Sequence, residues 1–294
     1  MPRIGVIGNP DGWSTRHLAQ RVEERFGSAL LVDAGRMTLD TEAGTVFAAG
    51  QDLSDLDGLI VKKIGAGYRP EHLDRLEILR LLEHRGVRVF SPAERIIRVL
   101  DRLACTVTLA QAGAPLAPTV VTEELDEARA AVRRFGRVVA KPLWTSKARG
   151  MEVLDAEDEG LEYRLRSFHE NGNPVMYLQK HLHLPGKDLG VVFLGGEYVG
   201  TYARLGAGDS WSTAVRGPSG KYGVHDPEPG VVEMAHRAQA PFGLDFTCVD
   251  VAETSEGTVV WEVSAFGGFR GLLEARDIDA GTLYAEYVAR ELGA

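Results

Sequence analysis

The sequence predicts a chain in two parts, a parallel α/β unit over residues 1–93 and an α+β unit with mainly antiparallel strands over residues 94–294. Three observations carry this expectation. Short apolar runs alternate with helical periodicities in the first part, the pattern of a doubly wound parallel sheet. Ser91-Pro92 ends that pattern, since proline lacks the amide that a ladder or helix interior needs. Beyond it, strands follow one another through glycine-bearing turns, as hairpins do.

Residues 4–7 form the first strand, which runs into the turn Gly8-Asn9-Pro10-Asp11-Gly12. Ser14 can cap a helix over 15–26, where Leu18, Val22 and Phe26 repeat at helical spacing. Strands are expected at 29–32, 56–61 and 87–90, with a helix carrying Leu73, Leu76, Leu79 and Leu82 between the last two. A helix over 94–113 opens the second part and stops at Gly113-Ala114-Pro115. Then come a strand at 119–122, a helix at 125–135, a strand at 138–141, an acidic segment, a helix at 163–170 and a strand at 175–179. Strands at 189–194 and 198–204 flank Gly195-Gly196-Glu197, a hairpin signal. A helix at 231–240 precedes strands at 246–252 and 259–263, joined by the turn Ser255-Glu256-Gly257.

Composition narrows the function. The chain has 33 basic and 42 acidic residues, a formal charge of −9, which argues against a general nucleic-acid binder. No apolar run approaches the ~20 residues that span a bilayer. Two distant cysteines, Cys105 and Cys248, make no secreted disulfide framework, so the cytoplasm is the expected compartment.

The chemistry-bearing residues lie mostly in the second part. Asp250 and Glu262 sit inside apolar runs on the two terminal strands. Carboxylates in half-buried strands need a partner, and a divalent cation such as Mg²⁺ would bridge them through hard oxygen ligands. The other reading of the same pattern puts one of them on an exposed sheet face. Lys141-Pro142 ends a buried strand before Leu143-Trp144-Thr145-Ser146-Lys147-Ala148-Arg149-Gly150, a basic, hydroxyl-bearing loop suited to phosphates although not a Walker A loop. Tyr177-Leu178-Gln179-Lys180-His181-Leu182 runs into a connector that could bond a purine edge through its main chain. His181 and His183 have no third ligand beside them and are not read as a metal site. Lys62-Lys63 and Trp13 follow strands of the first part, where an open α/β sheet binds ligands, and are candidate substrate residues.

These motifs, in this order, resemble the ATP-grasp domain of the RimK-like ligases. Glu262-Val263-Ser264-Ala265-Phe266-Gly267-Gly268 is similar to their Glu-Val-Asn-x-x-Pro-Gly motif, and Leu100-Asp101-Arg102-Leu103 to their Arg-Asp-Lys-Leu helix start. The resemblance is closer to the ATP-grasp proteins of the GAK system. It rests on Val61-Lys62-Lys63-Ile64-Gly65, Cys105-Thr106-Val107-Thr108, 145–151 and 246–251, and covers nearly the whole chain. It implies a Rossmann-like pre-ATP-grasp domain over 1–93 and an ATP-grasp domain over 94–294, divided at 180/181. ATP and Mg²⁺ are the implied cofactors, with Mn²⁺ as an alternative. Lys141 would contact the α/β-phosphates, with Arg102 and Lys147 also on the nucleotide. Gln179, Lys180, His181 and Leu182 would form the hinge beside adenine, and Asp188 would lie near the ribose. Arg204 would face the triphosphate; Lys141, Arg204 and Arg270 are the expected catalytic cations. Asp250, Glu262 and Ser264 would hold metal.

The sequence also departs from the ligase pattern. Ser264 stands where those ligases carry Asn, which leaves one or two metal ions open, and the phosphate loop keeps one glycine. Lys180 replaces the hinge acid, and Trp211-Ser212-Thr213 replaces a segment bearing Arg and Asn. The expected activity is a carboxylate–amine ligase acting on small-molecule or peptide substrates through an acyl phosphate. An ATP-dependent phosphotransferase and a non-catalytic ATP-binding regulator are the alternatives. The family implies amphi-Trp-domain and HPr-kinase-like companions, and a homodimer is compatible with it.

Overall fold

The computed structural model describes residues 1–65, 69, 71–146, 148–206 and 221–294. The mixed α/β expectation holds. The first sheet is built from β1 (Ile4–Ile7), β2 (Leu30–Val32), β6 (Gly58–Val61) and β7 (Arg88–Phe90), in the order β2-β1-β6-β7, and is parallel throughout. Every residue of β1 and β6 is buried, as unbroken apolar runs covered on both faces require. α1 (Trp13–Phe26) buries Leu18, Val22 and Phe26 and ends at Gly27, whose φ of 80° closes the C-cap without the strain a side chain would bring. α2 (Glu71–His84) buries Leu76, Leu79 and Leu82, but its stripe begins at His72, leaving the expected Leu73 half-buried. A small antiparallel meander of β3 (Thr38–Asp40), β4 (Thr45–Ala48) and β5 (Gln51–Asp52), not expected from the sequence, fills the gap before β6.

The expected helix at 94–113 is two helices, α3 (Ala93–Leu100) and α4 (Arg102–Gln111). Asp101 breaks it. Its backbone is extended (φ −83°, ψ 115°) and its carboxylate accepts from the amides of Leu103 and Ala104 at 2.8 and 3.2 Å. The side chain replaces helical acceptors that the first turn lacks. The motif-based start at Leu100-Asp101-Arg102 is therefore the one the chain uses.

The second sheet, β10-β9-β11-β8, is antiparallel and contains β8 (Thr119–Thr122), β9 (Arg137–Lys141), β10 (Glu152–Asp155) and β11 (Met176–Lys180). α5 (Leu125–Phe135) and α6 (Leu161–Glu170) cover it, and their apolar residues form a core of their own with Val138, Leu154 and Leu178. β10 was hidden in the acidic segment because only Leu154 of its residues is fully buried.

The third sheet, β14-β13-β12-β15-β16, comprises β12 (Lys187–Leu194), β13 (Glu197–Leu205), β14 (Lys221–Val224), β15 (Phe246–Thr254) and β16 (Gly257–Ser264). Gly195 and Gly196 link β12 to β13 with φ of 60° and 84°, the left-handed pair that a two-residue hairpin needs. α7 (Pro229–Gln239) packs on this sheet, and α8 (Phe269–Arg276) and α9 (Ala280–Glu291) follow it. α9 packs against α1, placing Tyr284, Val288 and Ala289 in one core with Val6, Leu18 and Val22. No helix among the described residues is long and apolar enough to cross a membrane.

Asp101→Ala should lower unfolding stability by about 1 kcal/mol, the ordinary worth of an N-cap side chain. Urea titration measures it, and an unchanged midpoint would show that the cap adds nothing.

Candidate active site

A cleft of about 800 Å³ is lined by residues of all three large sheets and their loops. It brings together Trp13, Lys62, Lys63, Arg102, Lys141, Gln179, Lys180, His181, Leu182, Asp188, Arg204, Asp250, Glu262, Ser264 and Arg270. Every site residue expected from the sequence is on that wall except Lys147, which lies outside the described residues, as does the segment Trp211-Ser212-Thr213.

The carboxylates are set by strand register. Asp250 of β15 pairs with Glu262 of β16, and Cys248 with Ser264, so Asp250, Glu262 and Ser264 share one face. The ladder then slips. Val251 pairs with Val260, which leaves Trp261 as an extra residue, a β-bulge. Regular alternation would put Val260 on the face of Glu262. The bulge instead sends Val260 into the core beside Val249, Val251 and Val263, while Trp261 turns to the cleft. Sequence reading missed Trp261. The available signal was the three-residue spacing of Val260 and Val263, which a flat strand cannot bury on one face.

Asp250 is pushed up to about 7, first by burial, with Glu262 and Asp188 adding repulsion and Arg204 opposing it. Its Oδ1 accepts from Arg204 Nη1 at 3.0 Å. Arg204 also donates to both oxygens of Asp188, Nε at 2.7 Å and Nη2 at 3.0 Å. The guanidinium that was expected to face a triphosphate thus clamps two acids, and Asp188, expected at a ribose, has both oxygens on Arg204. No group of three or more His, Cys, Asp or Glu suited to a metal occurs among the described residues. Two carboxylates with one hydroxyl, Ser264 Oγ, nevertheless suit Mg²⁺, which takes few protein ligands and fills its shell with water and phosphate oxygens. Cys105 and Cys248 are buried, with thiols pushed up to about 12 by that burial, so neither is a nucleophile at neutral pH.

Lys141 ends β9 and points its Nζ at Gln179 Oε1, 2.5 Å away, with the ammonium 5.2 Å from the Trp261 ring centroid. Burial, reinforced by Arg102 and opposed by Glu262, draws its pKa down to about 7. An arriving anion would restore the charge. Arg102 staples the loop after β9 by donating to Pro142 O at 3.1 Å and Thr145 O at 3.2 Å, and forms an ion pair with Glu262 at 3.6 Å. At the end of β11 and the start of the connector after it, the amides of Lys180 and His181 are taken by Pro118 O and Arg137 O. The amide of Leu182 has no protein acceptor among the described residues and remains for a ligand edge. The Lys180 side chain pairs with Glu256 at 2.6 Å.

At the N-terminal side, Trp13 stacks on His17 at 4.8 Å, and the Arg270 guanidinium lies 5.0 Å from the Trp13 ring centroid. Lys62 is only 1% exposed. Its ammonium donates to Phe266 O at 2.5 Å and sits 4.0 Å from the Phe269 ring centroid. It therefore ties the end of β6 to the chain that follows Ser264. Burial, with help from Lys63, lowers its pKa to about 7.

No family model matches the chain. Over 326 residues it is 28% identical to the tetrahydromethanopterin:α-L-glutamate ligase of Methanosarcina acetivorans, covering 98% of this chain and 99% of that protein. Among solved structures, the ATP-grasp ligase PsnB, complexed with a phosphomimetic variant of its minimal precursor, Mg and ADP, superposes with a TM-score of 0.75 at 16% identity. That match covers 98% of each chain. A RimK domain ATP-grasp protein from Sphaerobacter thermophilus gives 0.73 at 22% identity, covering 97% of this chain and 98% of that one. The chain thus has the fold of these ATP-grasp structures, and its sequence is similar to the glutamate ligase from end to end.

Lys62 makes a pH signature. Its folded pKa lies near 7 against 10.5 for the free side chain. Between those values the unfolded chain binds the extra proton, so this group's contribution to stability rises with pH across that window. Lys62→Met should remove the rise. Its stability relative to the parent should be greatest near pH 7 and shrink toward pH 10, by at most about 1.4 kcal/mol per pH unit. Denaturant unfolding at a series of pH values tests this, and a parent–variant difference that ignores pH would refute it.

Proposed function

We propose that the protein is an ATP- and Mg²⁺-dependent carboxylate–amine ligase. The observation that supports this most is the convergence, in one cleft, of the Lys141–Arg102 cations, the Asp250–Glu262–Ser264 oxygens and the Leu182 connector. ATP would lie along β9 and β11, with its purine edge at the Leu182 amide and its phosphates toward Lys141 and Arg102. Asp250 and Glu262 would hold Mg²⁺, which supplies charge neutralisation at the phosphates when bound. A substrate carboxylate oxygen would attack the γ-phosphorus and release ADP. The acyl phosphate so formed would be attacked at its carbonyl carbon by an amine, which expels phosphate and loses a proton to solvent. Activation is needed because a free carboxylate is a poor electrophile. The chain's own contribution is to position the reactants and to place charge where charge develops. In this reading Arg204 does not touch the triphosphate. It holds Asp250 and Asp188 in place, and Lys141 carries the phosphate contact. Arg270, at the far side of the cleft beside Trp13, would serve the acceptor.

The ligase named above joins glutamate to a pterin, which supports a carbon–nitrogen bond as the product. The finer resemblance to the GAK-system proteins extends the proposal to amphi-Trp and HPr-kinase-like partners in the cytoplasm.

The test is mass spectrometry of a small-molecule extract incubated with protein, ATP and Mg²⁺. The expected result is ADP and phosphate together with a product equal to two metabolites less one water. A product retaining the phosphoryl group would replace the ligase by a phosphotransferase, and ATP binding without turnover would leave a regulator.

Two variants check the site. Lys141→Ala should weaken ATP binding by about 1.5–3 kcal/mol, the worth of a charge-assisted contact, as read by calorimetry; equal affinity rejects the phosphate role. Mg²⁺·ATP at a hundred times its Kd should stabilise the parent by about 2.7 kcal/mol. In Asp250→Asn the Mg²⁺-dependent part of that thermal shift should be lost, and its survival intact would show that Asp250 is no metal ligand.

A further inference from the structure

We propose that the crevice between the ends of β1 and β6 is an anion subsite, which seats a carboxylate or phosphate group that the acceptor substrate carries away from its reacting atoms. The assignment to an acceptor rests on the ligase reading; the subsite itself rests on the geometry.

The sheet order β2-β1-β6-β7 puts the topological switch between β1 and β6, where the chain leaves in opposite directions and a crevice opens beyond the strand ends. On one side, Gly8 to Gly12 lead into α1. On the other, β6 is followed by Lys62, whose amide donates to Ile7 O at 2.8 Å, so the two borders are neighbours.

α1 presents an open N-terminus. Gly12 supplies no side-chain cap, and no acid stands in the first turn. Gly12 O takes the amides of Thr15 and Arg16, whereas those of Trp13 and Ser14 have no protein acceptor among the described residues. Such amides, at the positive end of a 14-residue helix, attract anions.

Two side chains add observations of their own to these open amides. Thr15 is 1% exposed and lines the cleft, and its Oγ1 has no hydrogen-bond partner. The hydroxyl is turned to the loop before the helix, 2.5 Å from where a Cβ would stand at Gly8 and 3.5 Å from one at Gly12. A buried hydroxyl without a partner destabilises a fold unless something binds it. Lys62 has three donors and one acceptor, Phe266 O; the rest of its surroundings includes the face of Phe269. Neither Asp188, Asp250 nor Glu262 bonds to any of these donors. The crevice thus concentrates positive charge and unmet donors in the same cleft as the candidate metal residues, on the N-terminal side. The phosphate partners proposed for ATP stand on β9 and α4.

The experiment uses isotope-labelled full-length chain saturated with Mg²⁺ and AMPPNP, which fills the nucleotide side. Inorganic phosphate and succinate are titrated separately, and the amide resonances of Trp13 and Ser14 are followed by NMR. Both amides should shift saturably with at least one anion. Phosphate alone would identify a phosphoryl group on the acceptor, and succinate alone a carboxylate. Thr15→Val should weaken that binding at least about fivefold, the loss of one hydrogen bond to a charged group. It should melt no lower than the parent without anion, since it deletes an unmet polar atom, and Thr15→Ser should bind like the parent. Amides unmoved by both anions, or parent-like binding by Thr15→Val, would overturn the subsite. If AMPPNP fails to bind while anions still shift the two amides, the ligase reading falls and the subsite stands. If AMPPNP binds and the amides stay still, the reverse holds.

Discussion

The pairing of β15 with β16 is the constraint on which the candidate site depends. Two needs conflict in β16. Glu262 and Ser264 must face the cleft beside Asp250, and Val260 and Val263 must both enter the core. A strand with a strict two-residue period cannot meet both. The extra residue at Trp261 reconciles them, and its indole becomes the wall against which the Lys141 ammonium rests. One irregularity in one ladder therefore sets the spacing of the carboxylates, the burial of the valines and the surroundings of the lysine together.

Charge is balanced by a short network around that ladder. Arg204 is shared between Asp188 and Asp250, and Arg102 between Glu262 and the loop after β9. Removing Asp188 or Asp250 would still leave Arg204 one carboxylate, whereas removing Glu262 would leave the mostly buried Arg102 charge without its acid, the costly case for buried ion pairs. The arrangement leaves Glu262 the more open of the two cross-strand acids, with its side chain 46% exposed against 16% for Asp250. In the proposed metal site Glu262 is therefore the acid more open to solvent, while Asp250 is held by Arg204.

Much of this was readable in the sequence, and the failures have physical causes. Apolar runs and periodic leucines gave the parallel sheet and its helices because those elements are buried on a regular period. The Gly195-Gly196 hairpin was readable because few residues other than glycine adopt two consecutive left-handed conformations. The meander at 38–52 and the strand at 152–155 escaped because they are short and carry few buried residues. The break at Asp101 was masked by apolar periodicity on both sides, although an aspartate there is itself the stop-and-start signal. Pattern and motif order together named the cleft residues. They did not show that Arg204 is spent on Asp188 and Asp250, or that Lys62 is buried under Phe269, since partners distant in sequence leave no trace in spacing.

The packing of α9 on α1 bears on how the chain is made. His17 and Arg21 of α1 meet Asp279, the cap of α9, across separations of 262 and 258 positions, and the apolar stripe of α1 shares its core with Tyr284 and Val288. As the chain leaves the ribosome, the first helix therefore emerges close in time to its sheet-side neighbours Val6 and Ile60 but long before the helix that completes its burial. During that interval its α9-facing side stays exposed to water or leans on temporary neighbours, the condition under which nascent chains aggregate or recruit chaperones. The parallel sheet can begin to assemble early, but its outer layer closes only when α9 arrives. Final packing of the N-terminal unit is thereby tied to synthesis of the chain through α9 rather than to the unit's own length.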